Sequence, residues 1–303
     1  MALTLGIVTP GLHVNQRFGS PEWEMTASMD DVTWLVREAE RSGYDWVSCA
    51  EHIAVPVAAA EVRGSRYFDP FSTLGYFAAS TSSIGLLTHV AVLPYHHPLE
   101  LVKRLGTLDV LSGGRVIAGV GVGSLQPEFE VLGHRFDDRG DRADDAIRAI
   151  RASWGRRTPE YHGTYYDFEG FVVEPSGLAR DPAIWVGGRS RRSLRRAVEL
   201  GDAWIPFGLR LEQLGAMLHN PAVRERLARY SDDHGRPLGM VFAPDSPIDP
   251  LGQPDRTAEL LASYIAIGAT GFSLRFDQKS PAHCCEQMAA LQALVRSTGW
   301  AEP

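Results

Sequence analysis

The chain has 303 residues, 44% of them hydrophobic and 22% charged, with a net charge of −7; this is ordinary globular composition and excludes wholesale disorder. An acidic balance is the opposite of the basic field that a general nucleic-acid or anionic-membrane binder carries. No run reaches the roughly 20 apolar residues of a membrane span, and the three cysteines, Cys49, Cys284 and Cys285, form neither a disulfide framework nor a zinc-site spacing.

Met1–Pro10 has no basic leader region, so no secretory signal and a reducing cytoplasm are expected. Of 30 basic residues only Lys103 and Lys279 are lysines, which leaves 28 arginines and reads as a GC-rich coding bias. Short apolar runs alternate with amphipathic segments along the chain. Strands are predicted at Leu3–Val8, Trp46–Cys49, Ile84–Leu93, Val116–Val120, Ile184–Val186, Ala203–Ile205, Leu238–Phe242 and Gly271–Leu274. Helices are predicted between and after them, at Asp30–Ser42, Phe71–Thr81, Pro98–Leu111, Ala143–Trp154, Ser190–Leu200, Leu211–Tyr230, Thr257–Ile267 and Ala282–Ser297. Eight strands alternating with eight helices imply parallel pairing, and a closed (β/α)₈ barrel fits that count better than an open sheet. The chain reads as a single barrel domain with its excess length in two places. Val55–Phe71 is a candidate lid, and Gly123–Pro182 is an insertion expected to form a hairpin on the barrel mouth.

Active sites of such barrels lie at the C-terminal ends of the strands. His52, directly after the second strand, is the best candidate for acid–base work, with neighbouring Glu51 as its orienting partner. A hydrogen-bonded structural histidine is the alternative reading. Gly187-Gly188-Arg189-Ser190 ends one strand and opens a helix, which suits either a phosphate cradle or a tight turn with Ser190 as N-cap. Arg210 and Arg275, at later strand ends, add guanidinium donors for an anion or are solvated side chains. Arginines 189, 191, 192, 195 and 196 make a basic helix start that either steers an anionic tail or is a solvated face. Gly119, Gly121 and Gly123 superficially match a dinucleotide fingerprint. With Leu125-Gln126-Pro127 following, no helix is expected there, so the glycines let a flat ligand lie on the barrel floor or merely turn the chain. His96 and His97 are adjacent in extended chain, point to opposite faces and do not make a metal pair.

The chain resembles the luciferase-like flavin monooxygenases and coenzyme F420-dependent oxidoreductases, most of all the actinobacterial F420-dependent branch. The resemblance spans about residues 3 to 300 and is densest in 68–205. It is carried by Phe68-Asp69-Pro70, by the segment Leu108-Asp109 with Leu111–Arg115 (LD-x-LSGGR), and by the glycines ending at Gly123. Glu128-Phe129, Ile184–Gly188 and Gly201–Trp204 carry it further. It implies a TIM barrel, usually dimeric, with the cofactor in its mouth and insertion segments at the C-terminal face. It also implies a non-prolyl cis peptide in a third-strand bulge, at Thr88-His89 or His89-Val90. Glu51-His52 matches the family's acid–histidine pair, and Gly187-Gly188 its phosphate-contacting turn. Arg210 and Arg275 sit where a sugar phosphate dehydrogenase relative carries basic residues. That relative's glutamate proton donor is replaced here by Ser124, so its activity is not carried over. Histidine at 89 is unusual and reaches toward the ring or the substrate.

The expected site is therefore catalytic His52 and Glu51, with cofactor contacts from Thr88, His89, Gly121, Gly123, Gly187, Gly188, Ser190, Arg210 and Arg275. Three functions are carried forward. The first is F420-dependent hydride transfer to or from a small-molecule substrate. The second is an FMN-dependent monooxygenase fed by a reductase partner. The third is a non-catalytic flavin-binding barrel. A homodimer is expected in each case, with neither nucleic acid nor membrane as partner.

Overall fold

The computed structural model describes residues 3–14, 20–178 and 181–300. The chain opens with β1 (Thr4–Val8), β2 (His13–Val14), α1 (Glu22–Thr26), α2 (Met29–Arg41), β3 (Trp46–Cys49), α3 (Val57–Arg63), β4 (Arg66–Tyr67) and α4 (Pro70–Ser80). It continues through β5 (Gly85–Thr88), β6 (Ala91–Val92), α5 (Pro98–Ser112), β7 (Val116–Gly121), α6 (Gln126–Val131), α7 (Arg139–Ser153), β8 (Tyr161–His162) and β9 (Asp167–Phe168). The last part holds β10 (Ala183–Gly187), α8 (Arg191–Leu200), β11 (Ala203–Ile205), α9 (Leu211–Leu218), α10 (Pro221–His234), β12 (Gly239–Phe242), α11 (Pro254–Ala266), β13 (Gly271–Leu274) and α12 (Pro281–Ser297).

β1, β3, β5, β7, β10, β11, β12 and β13 pair in parallel in that order, and β13 returns to β1 through Thr4↔Gly271 and Leu5↔Phe272. The fold is thus a closed (β/α)₈ barrel. Strand residues alternate between two buried environments. Leu5, Val47, Leu86, Ile184 and Phe272 face the helical layer. Trp46, Leu87, Ala203, Ile205 and Val241 fill the barrel with Trp185, whose ring meets Trp46 edge-on at 4.8 Å. Among the described residues no helix is long and apolar enough to cross a membrane.

Local chemistry explains the shared motifs. Asp69 caps α4 by accepting the Ser72 N–H at 2.8 Å, with Pro70 at the first helical position. Asp109 is fully buried and accepts the Leu178 N–H at 3.0 Å. Gly113 takes the left-handed conformation (φ 68°) that ends α5. Arg115 then reaches across the bottom of the barrel and donates to the carbonyls of Ala78, Thr81, Ile84 and Ser112 at 2.8–3.1 Å. Two of those carbonyls belong to the C-terminal end of α4, where helix carbonyls lack partners. The LSGGR segment is therefore a structural clamp. Arg115→Met is expected to destabilise the fold by about 2–3 kcal/mol, because buried carbonyls lose charged donors. Urea unfolding checks this; a midpoint within error of wild type would refute the clamp.

Two expectations need correction. The segment 211–230 is two helices, because Pro221 lacks an N–H and Asn220 caps a new helix by accepting the Ala222 N–H at 3.1 Å. Ile84–Leu93 is not one strand: it breaks after Thr88 and resumes at Ala91–Val92 beside Val120–Gly121, and the bulge between holds a cis peptide at His89–Val90, one of the two positions that the resemblance implied. The β8–β9 hairpin forms within the 123–182 insertion, as expected, and packs against α7 and the start of α5. Its turn hangs on buried Asp145 of α7, which accepts from Tyr161 Oη at 2.5 Å and from the Tyr165 and Tyr166 amides. Tyr166 and Phe168 pack on His97 at the start of α5. Within the candidate lid, β4 pairs antiparallel with β2, matching Tyr67 to His13.

Candidate active site at the barrel mouth

β3 releases the chain at the C-terminal end of the barrel. There the adjacent Glu51 and His52 find different partners, Glu51 the Val92 amide and His96, His52 the carboxylate of Glu128. His52 Nδ1 lies 2.7 Å from Glu128 Oε2. The other oxygen of Glu128 accepts the Ile53 and Ala54 amides at 2.6 and 3.1 Å. Glu128 is wholly buried. Burial alone pushes its carboxyl up, but the bonds from His52, the Ala54 N–H and Tyr95 outweigh this and leave it below the ordinary range. Glu128 therefore stays ionised and fixes the His52 ring, which also packs edge-on against Tyr67 at 4.6 Å. The orienting role expected of Glu51 belongs to Glu128. Contrary to the expectation that Leu125-Gln126-Pro127 excludes a helix, α6 forms there, because proline within the first turn gives up no helical hydrogen bond.

A second wall faces this pair. His89 meets Phe207 edge-on at 6.2 Å, and the Arg275 guanidinium lies over the same ring at 5.6 Å. His13 stacks on Tyr67 at 5.9 Å. Burial, then the charges of Arg275 and His52, lower the His13 pKa to about 4; burial, then His13, lowers that of His89 to about 4. Burial also lowers Arg275, with Glu24 partly restoring it. Near neutral pH both imidazoles are uncharged beside a cationic arginine. Unfolded, each would bind a proton near pH 6.5, so the unfolded chain holds more protons between pH 6.5 and 4 and stability falls as pH drops through that window. The thermal midpoint is expected to fall more steeply from pH 6.5 to 4.5 in wild type than in His89→Gln. Equal slopes would remove His89 from this account.

The proposed anion turn lies at the ends of β10 and β11. Gly188, Arg189 and Ser190 are exposed, and Gly188 has φ 102° with Ser193 directly beneath it, where a Cβ would lie 2.9 Å from Ser193 Cβ. Trp204 Nε1 donates to the Gly188 carbonyl at 3.1 Å and pins the turn. The Ser190 hydroxyl accepts the Ser193 amide at 3.2 Å, so Ser190 is the N-cap of α8. Arg189 extends toward Gly208, next to Phe207, which links this turn to the second wall. Arg210 is exposed at the start of α9 and near enough to Asp245 to offset part of that carboxyl's upward shift on burial.

Other expected contacts fall elsewhere. Thr88 is wholly buried and donates to the Gly119 carbonyl at 2.7 Å, so its hydroxyl is spent inside the wall. Gly121 and Gly187 do not present open faces. A Cβ on either would strike the Val90 side chain, at 2.5 and 2.7 Å, so these glycines seat the third-strand bulge. Gly123 (φ 74°) is covered by the Phe129 ring. Within the basic helix start, Arg196 is bound to Asp144 and to the Gly140 carbonyl, and Arg195 lies 3.8 Å from Asp144, so both face α7. Arg189, Arg191 and Arg192 remain exposed. His96 and His97 do diverge: His96 turns to Glu51, while His97 accepts the Leu99 amide as cap of α5. The structure thus gathers His52, His89 and Arg275 and adds His13, Tyr67, Phe207 and Glu128, which sequence reasoning did not assign. Only Glu128 carried a signal, as part of the shared Glu-Phe pair.

A closed parallel barrel with titratable side chains converging at the C-terminal ends of its strands defines a (β/α)₈-barrel enzyme. The model of the luciferase-like monooxygenase family matches residues 5–245, and the chain belongs to that family. It is 28% identical over 224 residues to an uncharacterized protein of Mycobacterium tuberculosis, covering 69% of this chain and 75% of the relative. It is 26% identical over 237 residues to an FMNH₂-dependent dimethylsulfone monooxygenase of Pseudomonas putida, covering 77% of this chain and 61% of the relative. An F420-dependent secondary alcohol dehydrogenase in complex with an F420–acetone adduct superposes with a TM-score of 0.72 at 13% identity, over 98% of this chain and 99% of that one.

Proposed function

We propose that the protein is an F420-dependent oxidoreductase acting on a small organic substrate, with the deazaflavin ring in the barrel mouth between His52 and the His89–Phe207 wall. The observation that supports this most is the His52–Glu128 pair, a histidine held by a buried carboxylate at the barrel mouth. The residues present suit an anionic cofactor. The Gly188 turn is exposed beside Arg189, and Arg210 stands at the next strand end, so this face would hold the phosphate. When bound, F420 supplies hydride chemistry at C5. His52 gives the matching proton to a substrate heteroatom during reduction, or removes it during oxidation. Donating Nδ1–H to Glu128 leaves Nε2 as the atom that exchanges this proton. Neutral His13 and His89 avoid placing further cations beside Arg275.

The second reading is an FMN-dependent monooxygenase using reduced FMN and oxygen. The Pseudomonas relative, named for FMNH₂ dependence, favours it. Titrating the purified protein with F420 and with FMN separates the two. Micromolar F420 affinity with negligible FMN binding is expected; the reverse would sink the F420 reading and leave the monooxygenase.

A further inference from the structure

Two buried carboxylates, Glu51 and Glu128, stand beside the exit of β3, and of the two only Glu128 is hydrogen-bonded to His52. Glu51 is equally enclosed, with its side chain 1% exposed. One of its oxygens accepts the Val92 N–H at 2.6 Å, and the other lies 2.7 Å from His96 Nε2. Val92 closes the third-strand bulge, and the other end of that bulge is fastened by the His89 N–H, which donates to the Cys49 carbonyl at 2.7 Å. Both ends of the segment 89–92 are therefore tied to the exit of β3, two residues apart. Between the ties, Val90 drops into the space left by Gly121 and Gly187, and His89 is presented to Phe207 at the mouth. His96 carries the linkage further: its ring packs edge-on against Phe71, at the base of the lid, with centroids 5.7 Å apart.

We propose that Glu51 is a positioning residue which, through the Val92 amide and His96, sets the 89–92 bulge as the floor on which the cofactor ring rests. Glu128 separately positions His52 for proton transfer. This division rests on the proposed cofactor-dependent function. Its physical basis is that a buried carboxylate holding two donors defines their geometry closely, and removing it leaves an amide and an imidazole without their acceptor. A floor displaced by even a fraction of an ångström costs binding to a flat, rigid ring, whereas His52 is held by its own separate hydrogen bond to Glu128, which is in turn fixed by the Ile53 and Ala54 amides.

The test compares Glu51→Ala, Glu51→Gln and Glu128→Gln with wild type in three measurements. These are the dissociation constant of F420 or FMN, whichever wild type binds, the amide hydrogen exchange of the peptide covering 86–95, and the pH dependence of turnover at saturating cofactor. Glu51→Ala is expected to weaken cofactor binding at least tenfold and to accelerate exchange in 86–95, with the pH dependence of turnover unchanged. Glu51→Gln keeps one acceptor for Val92 and should fall between the two; it also serves if the alanine variant does not fold. Glu128→Gln should do the reverse, altering turnover and its pH dependence while cofactor affinity and exchange in 86–95 stay as in wild type. Cofactor affinity within twofold of wild type in both Glu51 variants overturns the proposal. So does wild-type exchange in 86–95, or a changed pH dependence on replacing Glu51. If wild type binds neither cofactor, the proposed function fails, while exchange in 86–95 still reports whether Glu51 holds the bulge.

Discussion

Replacing His52 with alanine is expected to lower turnover by about 10²- to 10⁴-fold, the range that a positioned general acid or base contributes, while cofactor affinity changes little. The split follows from geometry. His52 approaches the mouth from the end of β3 and is held by Glu128 and Tyr67, whereas the candidate anion contacts lie across the barrel at the ends of β10 and β11. Glu128→Gln should cost about tenfold or more, because it removes the charge that fixes the imidazole but leaves the ring in place. Steady-state rates paired with cofactor titration check both variants. Unchanged turnover in His52→Ala would end the proton-transfer role, and lost cofactor affinity with normal turnover would move His52 into the binding site.

Gly119→Ala should destabilise the fold by about 3 kcal/mol, at the upper end of ordinary overpacking. In a domain of this size that lowers the thermal midpoint by about 6–12 °C. The added methyl would fall inside the envelope of the Thr88 carbonyl oxygen, a backbone atom that cannot rotate away. The two strands cannot part either, since the Thr88 hydroxyl is bonded to the Gly119 carbonyl at 2.7 Å. The same substitution at Gly75, a helical position with nothing within 4 Å of an added Cβ, is expected to leave stability unchanged or raise it by about 0.5–1 kcal/mol. Equal midpoints for the two variants would refute the packing argument.

The barrel was legible because strand and helix periodicities alternate eight times, a pattern that local hydrophobicity alone records. His52 was legible from its place after the second strand. Its partner was not: Glu51, the neighbour in sequence, bonds the Val92 amide and His96 instead. Glu128 lies 76 residues away from His52, on a short helix hidden by its own proline. The strand-end glycines suggest a ligand-facing floor, yet Gly121 and Gly187 are spaces for Val90. Nothing in the order of residues says which side chain fills a gap that a distant glycine leaves.

The sequence by itself determined the strand–helix alternation, the position of His52 and the glycine turn at 187–190, because each depends on periodicity or on residues close together in the chain. Only the tertiary structure decided which carboxylate serves His52, that Glu51 instead fastens the bulge through Val92 and His96, and that His13 and Arg275 share one mouth. Those pairings join the exits of different strands. Closing the barrel brings these exits together, and local sequence carries no record of that distance.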